Sequence, residues 1–335
     1  MEIILFIQEG LKMIRKIALT IALTFSLQAN EVKKVDTLTL SGPMASVSHP
    51  LLRMIETGAL NDVAKKVKFV MWKSPDELRA LTLRGKADFI AVPTNVGANL
   101  YNKGVEIKLL NVSVWGILGM ITRDKTKKTL GDFKGCEIAM PFRADMPDIV
   151  FEEIVKKQGL DPKKDFKLRY VSSPIDAMQM LVMRRVDHAL LAEPAISMAL
   201  RKTKSFPLKL IAPDLYRSSD LQKEWGDVFK VEGKIPQAGM AVIGKKDEHL
   251  IKRFNEEYSK ALKWYKSHPK EAGILAHKYI KMLLPEAVED SLSYVQLDDV
   301  SAKDAKKDLE FFFKILKENN PKTIGGKLPD VGFYR

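Results

Sequence analysis

The sequence predicts an α/β protein built as two βαβ lobes around a cleft, with two hinge crossings of the chain between them. Three observations predict it. Residues 173–194 read as a capped helix feeding a buried strand. Ser173 can accept a first-turn N–H, Pro174 fits the first helical position, and Asp176 sits where a capping box places its acid. Ile175, Met178, Leu181 and Val182 follow at helical spacing, and after Arg184-Arg185 a short apolar run is stopped by Glu193-Pro194. Residues 74–93 repeat the phrase: Ser74-Pro75-Asp76-Glu77 opens a helix, Gly85 ends it, and 87–93 form its strand. Each copy follows a further strand–loop–helix unit, at 37–58 and 137–159. Repeats this long are whole lobes rather than solenoid units. Parallel βαβ units gather their loops and helix N-termini at the carboxyl edge of the sheet, where open α/β folds bind ligands.

Taken in order, Met13-Ile14-Arg15-Lys16 and the short apolar run after it read as a secretory signal peptide over residues 1–29, cut after Ala29, with Met13 a candidate true start. No cysteine lies near that cut, which excludes a lipid anchor there. The first strand, 37–40, runs into a loop carrying Ser41, Ser46, Ser48 and His49, ahead of a helix over 51–57. Hydroxyls at a helix N-terminus suit an anion or a polar ligand head, although any capped helix needs them, and His49 suits a structural role equally well. Trp72 ends the second strand, 67–72, beside Ser74; Thr94 and Asn95 follow the third. An aromatic at such a rim more often packs than stacks on a ligand.

The apolar stretch 109–122, holding Trp115, Gly116 and Gly119, is the expected first crossing, and 235–244, holding Gln237 and Gly239, the return. Lobe one is therefore expected at 33–121 plus 238–335 and lobe two at 122–237. In lobe two a strand over 138–141 leads to Arg143 and Asp145 at a helix start, where they can face the cleft or pair with each other. Glu193 is the sharpest candidate, a carboxylate held by proline at the end of an apolar strand. Unpaired, it would cost several kcal/mol, so it needs Arg143 or a ligand donor. The last third reads as helices at 249–266, 270–281 and 302–318, with Phe254, Tyr258, Leu262 and Tyr265 at core spacing, then an irregular tail returning to lobe one.

Composition narrows the function. Lys and Arg number 55 against 42 Asp and Glu, for a net charge of +13, but the cations are scattered in pairs over helical faces without a nucleic-acid-binding motif. A diffuse basic field of this kind favours anionic ligands or surfaces. Cys136 is the only cysteine and the 5 histidines show no metal spacing, so neither a disulfide nor a cysteine-held metal or cofactor is expected.

LYNKG after the third strand, VWG at the first crossing, the GCEIAMP strand, a strand ending in EP and the IPQAG return strand together resemble one family over nearly the whole mature chain. It is the periplasmic substrate-binding proteins of the nitrate, sulfonate, taurine and thiamine-precursor class of ABC importers. The resemblance implies the type II periplasmic-binding-protein fold, a periplasmic monomer that captures a small polar or anionic solute by lobe closure, delivery to a permease with its ATPase, and no catalysis. It maps the ligand loops onto Ser41 to His49, Trp72 to Ser74, Pro93 to Asn95, Phe142 to Asp145, Ser172-Ser173 and Glu193; Trp115 and Gln237 complete the candidate set. Two alternatives share the fold. One is a periplasmic sensor or partner-binding module. The other is an enzyme of the thiamine-pyrimidine synthase type, whose cysteine-rich iron motif this chain lacks.

Overall fold

The computed structural model describes residues 34–335; the expected signal peptide and its cleavage point lie outside the described residues. Two sheets organise the chain. The larger holds β1 (Val35–Gly42), β2 (Ala64–Met71), β3 (Phe89–Pro93), β4 (Ile107–Leu109), β5 (Asn111–Gly116), β11 (Ala238–Ile243) and β12 (Gln296–Ser301), in the order β12-β5-β11-β3-β1-β2 with β4 beside β11. The smaller holds β6 (Leu118–Thr122), β7 (Glu137–Pro141), β8 (Lys167–Val171), β9 (His188–Ala192) and β10 (Tyr216–Asp220), in the order β10-β6-β9-β7-β8.

The repeat read from sequence is visible in the strand order. In each sheet the first strand of the unit is central, with the second on one side and the third on the other. β1 pairs parallel with β3, and β7 pairs parallel with β9. Each third strand then takes an antiparallel partner from a crossing: β3 takes β11, and β9 takes β6. The helices that follow the second strands, α2 (Pro75–Leu83) and α5 (Pro174–Val182), are capped identically. Ser74 Oγ accepts from Glu77 N and Ser173 Oγ from Asp176 N, both at 3.2 Å.

The expected first crossing is not one strand. It breaks at Ile117, so 118–122 belongs to the smaller sheet. The two crossings run side by side, with Ile235 N and Gln237 N donating to Trp115 O (2.8 Å) and Val114 O (3.0 Å). Their glycines are crowded rather than free. A Cβ on Gly239 would meet Asn111 O at 1.8 Å, and one on Gly116 would meet the side chains of Gln222 and Gln296.

The last third adds two elements that the sequence reading did not contain. These are a helix at Pro285–Ser291 (α11) and the edge strand β12, whose alternation is masked by Gln296, Asp298 and Asp299. Before them lie α9 (Glu248–Ser267) and α10 (Pro269–Tyr279), and after them α12 (Lys306–Asn319). Phe254 of α9 stacks on Phe89 of β3 with ring centroids 3.9 Å apart. The tail returns to the larger sheet, where Arg335 N donates to Leu109 O at 2.9 Å. Among the described residues no helix is long and apolar enough to cross a membrane.

Candidate functional site

A cavity of about 430 Å³ lies between the two sheets, lined by residues at or just past the carboxyl ends of β1, β2, β3, β7 and β9. From lobe one come Met44, Met71, Trp72, Lys73 and Pro93; from lobe two come Phe142, Asp145, Met146, Ser173, Ile175 and Glu193. The crossings supply Ile117, Leu118 and Gln237 between them, and Met282 comes from the turn after α10. The volume falls in the range of small-molecule sites.

Backbone geometry places Phe142. Phe142 and Ala144 hold φ of 60° and 59°, left-handed values that cost a residue with a Cβ about 1 kcal/mol or more. The turn is secured by Asp145 N donating to Phe142 O (3.0 Å) and Ala144 N to Asp148 Oδ2 (2.7 Å). Strain held this way at a cavity wall fixes where the Phe142 ring projects.

Glu193 is 2% exposed, and burial raises its carboxyl above the usual range despite an opposing guanidinium. That guanidinium is Arg217, not Arg143. Arg217 Nη1 donates to Glu193 Oε1, its Nη2 donates to Ser197 Oγ at 2.7 Å, and Ser197 N donates to Glu193 Oε2 at 3.1 Å. The sequence reading missed Arg217 because β10 carries no apolar alternation. Arg143 is instead exposed, its guanidinium 5.0 Å from the centre of the Tyr170 ring and outside the cavity lining. The expected pairing of Arg143 with Glu193 or Asp145 is therefore replaced: Asp145 meets Arg79 Nη2 at 3.3 Å.

Of the residues singled out from sequence, the structure brings Trp72, Asp145, Ser173, Glu193 and Gln237 to the cavity wall. Others turn elsewhere. Ser41 Oγ donates to Val70 O (2.7 Å) and Thr94 Oγ1 to Pro236 O (2.5 Å). Ser46, Ser48, His49 and Asn95 are buried inside lobe one. His49 Nδ1 lies 2.8 Å from the Tyr265 hydroxyl, and burial pushes its imidazole down to about 3, so the ring is neutral. Ser74 is spent on its helix cap. Trp115 donates from Nε1 to Asp298 O (3.2 Å) and lines a different cavity, behind the crossings.

Three side-chain contacts join the lobes around this cavity. They are Arg79 to Asp145, Arg201 to Asp290 (2.5 and 2.7 Å, both oxygens engaged), and the Arg217 guanidinium 3.6 Å over the Tyr294 ring. Arg217 thus touches both Glu193 at the cavity wall and the facing lobe. Among the described residues no cluster of His, Cys, Asp and Glu could hold a metal ion.

Comparison with solved structures identifies the fold as that of the type II periplasmic binding proteins. An ABC transporter protein from Parabacteroides distasonis superposes with a TM-score of 0.70 at 22% identity, covering 89% of this chain and 98% of that one. The periplasmic nitrate-binding protein NrtA from Synechocystis PCC 6803 gives 0.67 at 14% identity, covering 85% and 82%. The periplasmic aliphatic sulphonate binding protein SsuA from Escherichia coli gives 0.63 at 16%, covering 88% and 92%. No protein-family profile matches the sequence. No curated protein matches it either.

Proposed function

We propose that this chain is the periplasmic solute-binding component of an ABC importer, which closes its two lobes on a small molecule and hands it to a permease driven by an ATPase. One observation carries the reading: a cavity walled by both lobes and by the two crossings, ringed by contacts that join one lobe to the other. A solute that touches both walls favours the closed arrangement by its differential affinity for it. The contacts at Arg79, Arg201 and Arg217 favour the same arrangement; of these, Arg201–Asp290 is an exposed ion pair, of the kind that contributes about 0.2–1 kcal/mol. The names borne by the fold's relatives support the same role. In this reading the lobes divide at the crossings, the mature chain is exported after cleavage behind Ala29, it works as a monomer without a lipid anchor, and it binds without catalysing.

The experiment is small-angle scattering of the mature protein, stripped of bound molecules by unfolding and refolding, then mixed with a small-molecule extract of the periplasm. Compaction on adding the extract is the expected result. An unchanged profile, with nothing carried by the native protein in mass spectrometry, overturns the reading.

A further inference from the structure

The cavity wall indicates what kind of solute it accepts. The hydroxyls that suggested a polar or anionic solute do not face it, because Ser41, Ser46, Ser48 and Thr94 are turned into lobe one. Five helix N-termini contribute to it, and such termini usually bind anions through free N–H groups. At two of them, the helices beginning at Thr94 and Ala195, Thr94 N is taken by Gln237 O and Ser197 N by Glu193 Oε2. The other three are blunted. Each carries a proline in its first turn, Pro75, Pro147 and Pro174, which has no N–H to give. The first-turn N–H groups of Glu77, Met146 and Asp176 are already taken by Ser74, Asp145 and Ser173. No arginine lines the cavity among the described residues, and both lining carboxylates have their cations, Asp145 in Arg79 and Glu193 in Arg217. Lys73 contributes from an exposed position. A buried anion would therefore lose its hydration with little in exchange.

Apolar groups dominate what remains. Met44, Met71, Met146 and Met282 put flexible, polarisable thioethers around Trp72 and Phe142, a lining suited to flat or irregular apolar bodies. Among the buried polar side-chain atoms of the lining residues, one has no partner. Gln237 is 1% exposed, and its Oε1 is buried without a partner. Its orientation is dictated by Gln222. Gln222 Nε2 donates to Leu118 O and Gln222 Oε1 accepts from Leu118 N, both at 3.0 Å. With that amide fixed by backbone, Gln237 Nε2 must donate to Gln222 Oε1 (3.1 Å), which leaves Gln237 Oε1 as a free acceptor.

Resting on the solute-binding reading above, we infer that the solute is a largely apolar, uncharged molecule carrying one N–H or O–H donor, which it directs at Gln237 Oε1. Indole is a suitable probe, since it is aromatic, neutral and has one N–H; 1-methylindole has the same body without the donor. Nitrate and methanesulfonate are the anionic comparators. Calorimetry and thermal melting of the stripped full-length mature protein are expected to show indole binding roughly fivefold more tightly than 1-methylindole, the worth of one hydrogen bond. Neither anion should raise the melting temperature. Gln237→Leu should erase the difference between the two indoles. Met44→Asp, in the loop after β1, should abolish binding of both while leaving the melting temperature of the empty protein within a few degrees. Anions that bind where indole does not would overturn the apolar class and leave the solute-binding reading standing. Equal affinity for the two indoles would overturn the donor assignment to Gln237. If no probe binds while scattering still shows compaction on a periplasmic extract, the apolar class fails alone; if compaction is absent too, the solute-binding reading fails with it.

Discussion

Thr94 and Glu193 occupy the same point in the two halves of the molecule. Each follows the third strand of its βαβαβ unit, and each donates its backbone N–H to the neighbouring crossing, Thr94 to Gln237 O (3.0 Å) and Glu193 to Ile117 O (2.9 Å). Their side chains then part. Thr94 bonds to backbone within its own neighbourhood, whereas Glu193 joins Arg217 and Ser197 in a buried charged cluster that reaches the facing lobe through Tyr294. The repeat supplies two equivalent scaffolds, and the departures from it build the site.

The largest expected effect tests that inequality. Glu193→Ala leaves Arg217 without its carboxylate, and breaking a buried pair in this way is expected to cost about 3 kcal/mol in urea unfolding. Thr94→Val, which removes one hydrogen bond at the equivalent point, should cost about 1 kcal/mol. Glu193→Gln combined with Arg217→Leu should cost less than Glu193→Ala alone, because no lone charge remains. Only the second half should titrate here. Burial raises the Glu193 carboxyl, so the folded chain holds that proton more tightly than the unfolded chain does. Its contribution is therefore full below the ordinary carboxylate value and is lost as pH rises through the raised one. Subtracting the pH–stability curve of Glu193→Gln from that of the wild type should leave this falling step; a flat difference would contradict the assignment.

The crossings offer a second pair. Gly239 lies opposite Val92, and Gly119 lies opposite the equivalent Leu191. Gly239→Ala drives a Cβ into the Asn111 carbonyl, a backbone atom, and is expected to cost about 3 kcal/mol, the upper part of the usual overpacking range. Gly119→Ala meets Ile196 Cδ1 at 3.1 Å, a side-chain tip able to move aside, and should cost under about 1 kcal/mol. Equal losses from the two would remove the distinction between a pinned crossing and a yielding one.

Much of the scaffold was legible because it is local. A serine–proline opening, a helical run, a glycine stop and an apolar strand are short-range signals, and the sequence carries them twice. The site was less legible because its residues face inward or outward according to distant partners. His49 and Ser48 read alike as loop residues, yet Tyr265, far along the chain, draws His49 into lobe one. Arg217 lay on a strand whose sequence, Tyr-Arg-Ser-Ser-Asp, gives no period-two signal. Met282 joined the cavity from just past the end of a segment read as ordinary helix.

The caps should behave alike where the strand ends do not. Ser74→Ala and Ser173→Ala each remove the acceptor of one first-turn N–H at 3.2 Å, and each should cost about 1 kcal/mol. Values differing by more than about twofold would show that the halves diverge before their strand ends.

The smallest effect concerns the contacts that span the lobes. Arg201 holds both oxygens of Asp290 in the open, with the two side chains 46% and 37% exposed, whereas Arg79 reaches an Asp145 that is only 5% exposed. Solvent screens the first pair, so Arg201→Ala should change unfolding stability by less than about 0.5 kcal/mol. Removing Arg79 leaves Asp145 buried with only its own helix N–H from Met146, which adds a desolvation cost that Arg201→Ala does not incur. Burial already raises the Asp145 carboxyl, and loss of Arg79 should raise it further, so the penalty of Arg79→Ala should shrink as pH falls and the carboxyl takes up its proton. Scattering profiles of the two variants without solute report the lobes directly. If both contacts only hold the closed arrangement, both profiles should expand slightly and both should compact again on solute. A variant that compacts no less than wild type before solute is added would show that its contact does not hold the lobes together.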